Sequence, residues 1–242
     1  MKVAICLSGH FRSYEKCLNT LKNSILNNFD IDIFIYTWNT IGFDGNRGDS
    51  HLINKRLNIS DITNLYQPKK ISIEFQKKWD ASKYINKKNS GLRDSEILLG
   101  MFYGIYKSNE LKSRFEIENN FKYDIVIRSR PDIFFESNLY HKDLINVKTS
   151  SGIWIPKFGN YNGLNDQFAY GDSNSMDLYS NIYNNLDKYY DLGCDWHAET
   201  MTKYNANYYN LNIFRTNLQY KLLRADGSFF KNEQNPLYGD IL

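Results

Sequence analysis

Two apolar periods alternate along this chain. Residues 2–7, Lys2-Val3-Ala4-Ile5-Cys6-Leu7, form a nearly continuous apolar run, the pattern of a strand buried on both faces. Ser8-Gly9-His10-Phe11-Arg12-Ser13 breaks that run, and Tyr14, Cys17, Leu18, Leu21 and Ile25 then recur at helical spacing. Asp32-Ile33-Phe34-Ile35-Tyr36-Thr37-Trp38 predicts a second strand. Strand, helix and strand within residues 2–38 make a βαβ unit, which requires a parallel pair joined by a right-handed crossover.

Residues 39–58 are rich in Gly, Asn and Asp, and they read as a loop able to fold over a ligand. Ser60-Asp61-Ile62-Thr63 opens a short helix, Lys70–Phe75 alternates as a third strand, and the polar, basic residues 77–91 form another loop. The longest helix runs from about Asp94 to Glu118, with Leu98, Met101, Phe102, Ile105 and Tyr106 on one face. It feeds a strand over residues 123–129. Gly152–Pro156 predicts a further strand, and the Gly/Asn loop Gly159–Gly163 leads to Asn165-Asp166-Gln167, read as preceding a helix. Asp172 and Ser173 cap one helix with a core face of Tyr179, Ile182, Tyr183, Leu186 and Tyr190. A short helix follows Asp195–Glu199, and Leu211–Phe214 and Leu218–Arg224 are the last strands. No internal repeat or linker divides the chain, so a single α/β domain over residues 1–242 is expected, with a mostly parallel sheet flanked by helices.

A hydrophobic content of 42% and a charged content of 24% fit an ordinary soluble domain, and a net charge of +3 is too small to imply nucleic acid. The 19 tyrosines offer flat apolar faces with hydroxyls, suited to bases and sugars but equally to packing. Cys6, Cys17 and Cys194 have no metal-type spacing, and Cys6 and Cys17 read as core thiols. The chain shows no signal-peptide pattern and no apolar run of membrane-spanning length, so the expected setting is cytoplasmic, or peripheral to a membrane. Asn58-Ile59-Ser60 and Arg47-Gly48-Asp49 match a glycosylation sequon and an adhesion tripeptide, both read as chance.

Candidate chemistry gathers after strands. Ile125-Val126-Ile127 is followed by Arg128, Arg130, Pro131 and Asp132. In open α/β sheets ligands bind outside the carboxyl ends of the strands. There the arginines suit a phosphate, and Asp132 suits a hydroxyl or a divalent cation. A plain Arg–Asp surface pair is the alternative. The loop Ser8–Ser13, with Gly9 and Arg12, can hold phosphate on backbone N–H groups, or is simply a strand-to-helix turn. It is neither a Walker A loop nor G-x-G-x-x-G, which argues against an ATPase or a dinucleotide oxidoreductase. Asp166 suits a general base for an acceptor hydroxyl, with a structural cap as the alternative. His197 and Glu199 suit a metal shell, a sugar contact or helix capping, and Arg224 is a further phosphate candidate.

Six segments taken in order resemble a bacterial and viral glycosyltransferase family with a GT-A-type, Rossmann-like nucleotide-diphospho-sugar transferase fold. They are VAICLSGHFRSYEKC, DIDIFIYTW, MFYGIYKSNELK, YDIVIRSRPDIFF, NDQFAYGDSNSM and HAETM, spanning residue 3 to about 201. The resemblance implies sugar transfer from a UDP-, GDP- or dTDP-linked donor to a saccharide or glycan acceptor, in lipopolysaccharide, capsule or other surface polysaccharide assembly. It puts Asp132 at the last position of the family's D-x-D motif, which holds Mn²⁺ or Mg²⁺ against the diphosphate, while Arg130 departs from the first. It further implies donor contacts from Ser8, Gly9, Arg12, Tyr103 and Lys107, and a base at Asp166. His197 or Glu199 falls in the region of a late metal or donor contact. Thr37-Trp38-Asn39 sits where the fold often carries an acidic nucleoside contact, so Trp38 is expected to stack there. The competing readings are a non-catalytic nucleotide- or carbohydrate-binding domain and a sulfotransferase. The latter fits poorly because the SGHFRS loop lacks the Lys- or Thr-rich continuation of a phosphosulfate site.

Overall fold

The computed structural model describes residues 1–42, 50–52, 55–84 and 92–230. Its strands are β1 (Val3–Ser8), β2 (Ile31–Trp38), β3 (Lys70–Glu74), β4 (Ile125–Ser129), β5 (Ile133–Phe135), β6 (Ile153–Pro156), β7 (Phe168–Gly171), β8 (Ile213–Thr216), β9 (Tyr220–Leu223) and β10 (Phe229–Phe230). The helices are α1 (Tyr14–Ser24), α2 (Ile59–Tyr66), α3 (Leu92–Glu118), α4 (His141–Thr149), α5 (Ser173–Ser180), α6 (Ile182–Asp191) and α7 (Ala198–Tyr208).

Seven strands form one sheet in the order β3-β2-β1-β4-β7-β6-β8, and β10-β9-β5 form a small antiparallel sheet beside it. β1 pairs in parallel with both β2 and β4, β2 with β3, and β6 with β8; β7 alone runs against its neighbours β4 and β6. The α/β class and the mostly parallel sheet agree with the expectation from sequence. The chain leaves β1 through α1 toward β2 and β3, then returns through α3 to β4 on the opposite side of β1. Strand order therefore reverses between β1 and β4, and a crevice opens at their carboxyl ends.

Alternation along the central strands builds a core on each face of the sheet. Val3, Ile5, Leu7, Ile125 and Ile127 join α1, α2, α4 and the small sheet, whereas Ala4, Cys6 and Val126 join α3, α5, α6 and α7. Cys6 and Cys17 are buried as expected, and burial pushes both thiols up to about 12.

Several elements depart from the sequence pattern. The expected single helix after Asp172 is two, α5 and α6, broken at Asn181, although Asp172 does cap the first by accepting from Ser175 N at 3.0 Å. Asn165-Asp166-Gln167 leads into strand β7 and not into a helix. The unpredicted α4 buries only Leu144 and Val147, too sparse a stripe for a periodicity signal. Asn58 of the sequon caps α2, accepting from Asp61 N, and Arg47-Gly48-Asp49 lies outside the described residues.

One buried ionic cluster fixes α3, which forms a wall of the crevice. Lys112 Nζ donates to Glu116 Oε2 at 3.1 Å, Ser173 Oγ at 2.8 Å and Asp177 Oδ1 at 2.7 Å. Glu116 also accepts from Tyr123 N at 2.8 Å, so the cluster ties α3 and α5 to the entry of β4. Both Lys112 and Glu116 side chains are fully buried. Breaking such a pair leaves an uncompensated interior charge. Lys112→Met should therefore cost about 3 kcal/mol in urea unfolding, Lys122 softening the loss from its position 3.0 Å from Glu116. A cost within error of zero would show that the cluster does not hold α3.

Candidate functional site

Two pockets adjoin at the carboxyl ends of β1 and β4. The first, of about 120 Å³, is lined by Ser8, Gly9, His10, Arg12, Trp38, Gln76, Trp79, Glu96, Ile97, Gly100, Met101, Arg128, Arg130 and Asp132. The second, of about 430 Å³, contains Asp166, His197, Glu199 and Arg224, with Tyr161, Trp196 and Phe230 among its walls. Ile97, Met101 and Arg130 line both.

Local geometry explains how three loops meet there. Gly9 adopts φ +124°, a left-handed conformation that favours glycine, and an added Cβ would lie 3.6 Å from Pro131 Cδ. Thr37 Oγ1 at the end of β2 donates to Gly9 O at 2.9 Å. Ser13 Oγ donates to Leu223 O at 2.6 Å, and Leu223 N donates to Asp132 O at 2.9 Å. The segments bearing Arg12, Arg130–Asp132 and Arg224 are thus laced together.

Arg130 grips Asp132 bidentately, Nε to Oδ1 at 2.8 Å and Nη2 to Oδ2 at 2.7 Å. Burial alone would raise the Asp132 carboxyl, but Arg130, then Arg12 and Arg224, outweigh it and hold the group down at about 2. Arg128 is buried beneath the crevice and donates to Gln167 O, which ties β4 to the segment carrying Asp166. Burial, reinforced by Arg12, pushes His10 down to about 3, so its imidazole is neutral. His10 Nε2 lies 2.8 Å from Gln76 Oε1.

Tyr103 and Lys107 stand apart from the first pocket's lining. Tyr103 stacks behind Trp38, with ring centroids 6.1 Å apart and planes at 18°, and donates to Glu74 Oε1 at 3.1 Å. Lys107 pairs with Glu110 on its own helix. The other predicted positions line one pocket or the other. Sequence reading missed His10, Gln76, Trp79, Glu96 and Gly100 in the first pocket and Tyr161, Trp196 and Phe230 in the second. Trp79 sits inside a stretch read only as a polar loop, and the tryptophan itself was the available signal.

Buried polar atoms without partners mark both pockets. Among the described residues, Ser8 Oγ, Trp79 Nε1, Arg128 Nε and Trp196 Nε1 find no hydrogen-bond partner. Orphans of this kind gathered on pocket walls suit a polar ligand that supplies the missing acceptors and donors.

The divalent cation implied at Asp132 fits these donors poorly. Both Asp132 oxygens already accept from Arg130, and His197 Nδ1 lies 3.1 Å from Glu199 Oε2 in the neighbouring pocket. Among the described residues no three His, Cys, Asp or Glu side chains converge as a metal shell would need.

Residues 1–205 match the model of a family described as Domain of unknown function (DUF7796). The chain belongs to this family. No curated protein matches it. The DUF7796 match takes in the β1 and β4 loops, Asp166, His197 and Glu199, and it ends before Arg224 and strands β8–β10. Among the described residues no helix is long and apolar enough to cross a membrane.

Glu199, near the start of α7, is 7% exposed. Its backbone is pressed by Gly163, where an added Cβ would fall 2.0 Å from the Glu199 carbonyl. Burial first, and Asp166 second, push the Glu199 carboxyl up to about 8. A carboxyl raised on folding favours the native state below its unfolded value and loses that advantage as pH rises toward the folded one. Glu199→Gln should therefore gain melting temperature over the parent protein as pH goes from about 5 to about 8. An offset identical at both pH values would show that Glu199 is ionised throughout.

Proposed function

We propose that the chain is a glycosyltransferase with a GT-A-type fold, moving a sugar from a nucleotide-diphosphate donor to a saccharide hydroxyl in surface polysaccharide or glycan assembly. The observation that carries this reading is the pair of pockets sharing Arg130: an arginine-bearing one walled by Trp38 and Trp79, and one holding two buried carboxyl groups, Asp166 and Glu199, among aromatic rings. The first, at about 120 Å³, suits the diphosphate part of such a donor, whose phosphates meet guanidinium groups beside the Trp38 and Trp79 rings. The second suits a sugar acceptor, which offers hydroxyls to the Asp166 and Glu199 carboxyl groups and apolar ring faces to Tyr161, Trp196 and Phe230.

In this reading the acceptor oxygen attacks the anomeric carbon and gives its proton to Asp166. The bond from that carbon to the phosphate oxygen breaks, and its electron pair leaves with the diphosphate. Charge developing on the leaving group is opposed by fixed cations, which need no reorganisation as the reaction proceeds. Direct attack by a hydroxyl activated on a free carboxylate inverts the anomeric centre.

A thermal-shift panel of UDP-, GDP-, CMP- and dTDP-sugars identifies the donor, and failure of every nucleotide to raise the melting temperature would remove the reading's main support. Asp166→Asn should lower transfer by about 10²–10⁴-fold with donor binding unchanged. Retained turnover would exclude Asp166 as the base. Nucleotide binding with neither transfer nor slow donor hydrolysis would point instead to a non-catalytic binding domain.

A further inference from the structure

We propose that the first pocket holds the diphosphate of its ligand without a divalent metal, on Arg12 and Arg130, with Asp132 as their built-in counter-anion. The proposal rests on the nucleotide-diphosphate reading and names the charge partner of that ligand.

Three observations carry it. The segments bearing the arginines are fastened to one another through Ser13 Oγ to Leu223 O at 2.6 Å and Leu223 N to Asp132 O at 2.9 Å, so the cluster is part of the fold. Both oxygens of Asp132 are engaged by Arg130 at 2.7 and 2.8 Å, and Arg12 lines the same pocket. A cation bound to those oxygens would have to displace a guanidinium and then sit among like charges. A phosphate presents the same two-oxygen edge that Asp132 presents, and a planar guanidinium matches either.

The geometry of the pair points the same way: Arg130 is held in place by Asp132, and Arg12 lines the same pocket. Asp132 then keeps the guanidiniums assembled and mutually shielded while the ligand is absent, and competes with the ligand for Arg130 when it arrives.

This role and that of a metal ligand predict opposite outcomes for one substitution. Inorganic pyrophosphate should bind the full chain in EDTA, by calorimetry, with no tightening when Mn²⁺ replaces the chelator. Asp132→Asn should bind pyrophosphate at least as tightly as the parent, and Arg130→Met should weaken binding by about tenfold or more, about 1.4 kcal/mol. Loss of binding in a folded Asp132→Asn variant would overturn the proposal. So would binding seen only with Mn²⁺, or no binding in either condition. Should Asp132→Asn fail to fold, the comparison of EDTA with Mn²⁺ on the parent protein decides alone. Pyrophosphate bound in EDTA with no transfer from any nucleotide sugar would leave this proposal standing and sink the transferase. Transfer that requires Mn²⁺, with no pyrophosphate bound in EDTA, would do the reverse.

Discussion

The parallel pairing of β1 with β4 is the constraint on which the site depends. Val3 through Leu7 register against Ile125 through Ser129, so the two strands end side by side. Because α1 and α3 depart to opposite faces of the sheet, neither helix covers the gap between those ends. The residues just past each strand must therefore line a crevice: Gly9 and Arg12 after β1, Arg130 and Asp132 after β4. The buried Lys112–Glu116–Asp177 cluster keeps α3 seated against this arrangement, and Glu96, Ile97, Gly100 and Met101 near the start of that helix form the facing wall.

The central strands and the longest helix were legible in the sequence because each carries its own period. The run from Val3 to Leu7 is apolar at every position, as a strand with a core on both faces requires, and α3 repeats Leu98, Phe102 and Ile105 on one face. β7 was not legible. Phe168-Ala169-Tyr170-Gly171 is too short to declare a direction, and its antiparallel setting comes from the partners it finds, β4 and β6. The break between α5 and α6 was equally hidden, since Asn181 interrupts the backbone while Tyr179, Ile182 and Leu186 remain on the buried side.

Part of the site was legible for a related reason. The sequence Arg-x-Arg-Pro-Asp at the end of a strand puts Arg128 in the last pleat of that strand and Arg130 and Asp132 just past it, at the mouth of the sheet. Partners recruited from afar carry no such signal. Gln76 reaches His10 across 66 residues from just past the third strand, and Tyr84, inside the stretch 77–91 read as polar loop, stacks on Trp196 with centroids 3.9 Å apart. Tyr103 shows the converse limit. Its position on α3 was right for the crevice, but the ring packs behind Trp38 and supports the wall from outside.

Arg130 is a wall common to both pockets, so if each holds a ligand, as the proposed transferase reading requires, both ligands would meet the same side chain. A ligand in the first pocket that drew the guanidinium toward itself would alter the surface met by a ligand in the second, and by linkage the second would change affinity for the first by the same factor. One side chain, set between the chambers by its bidentate hold on Asp132, would then couple their filling without any motion of the sheet.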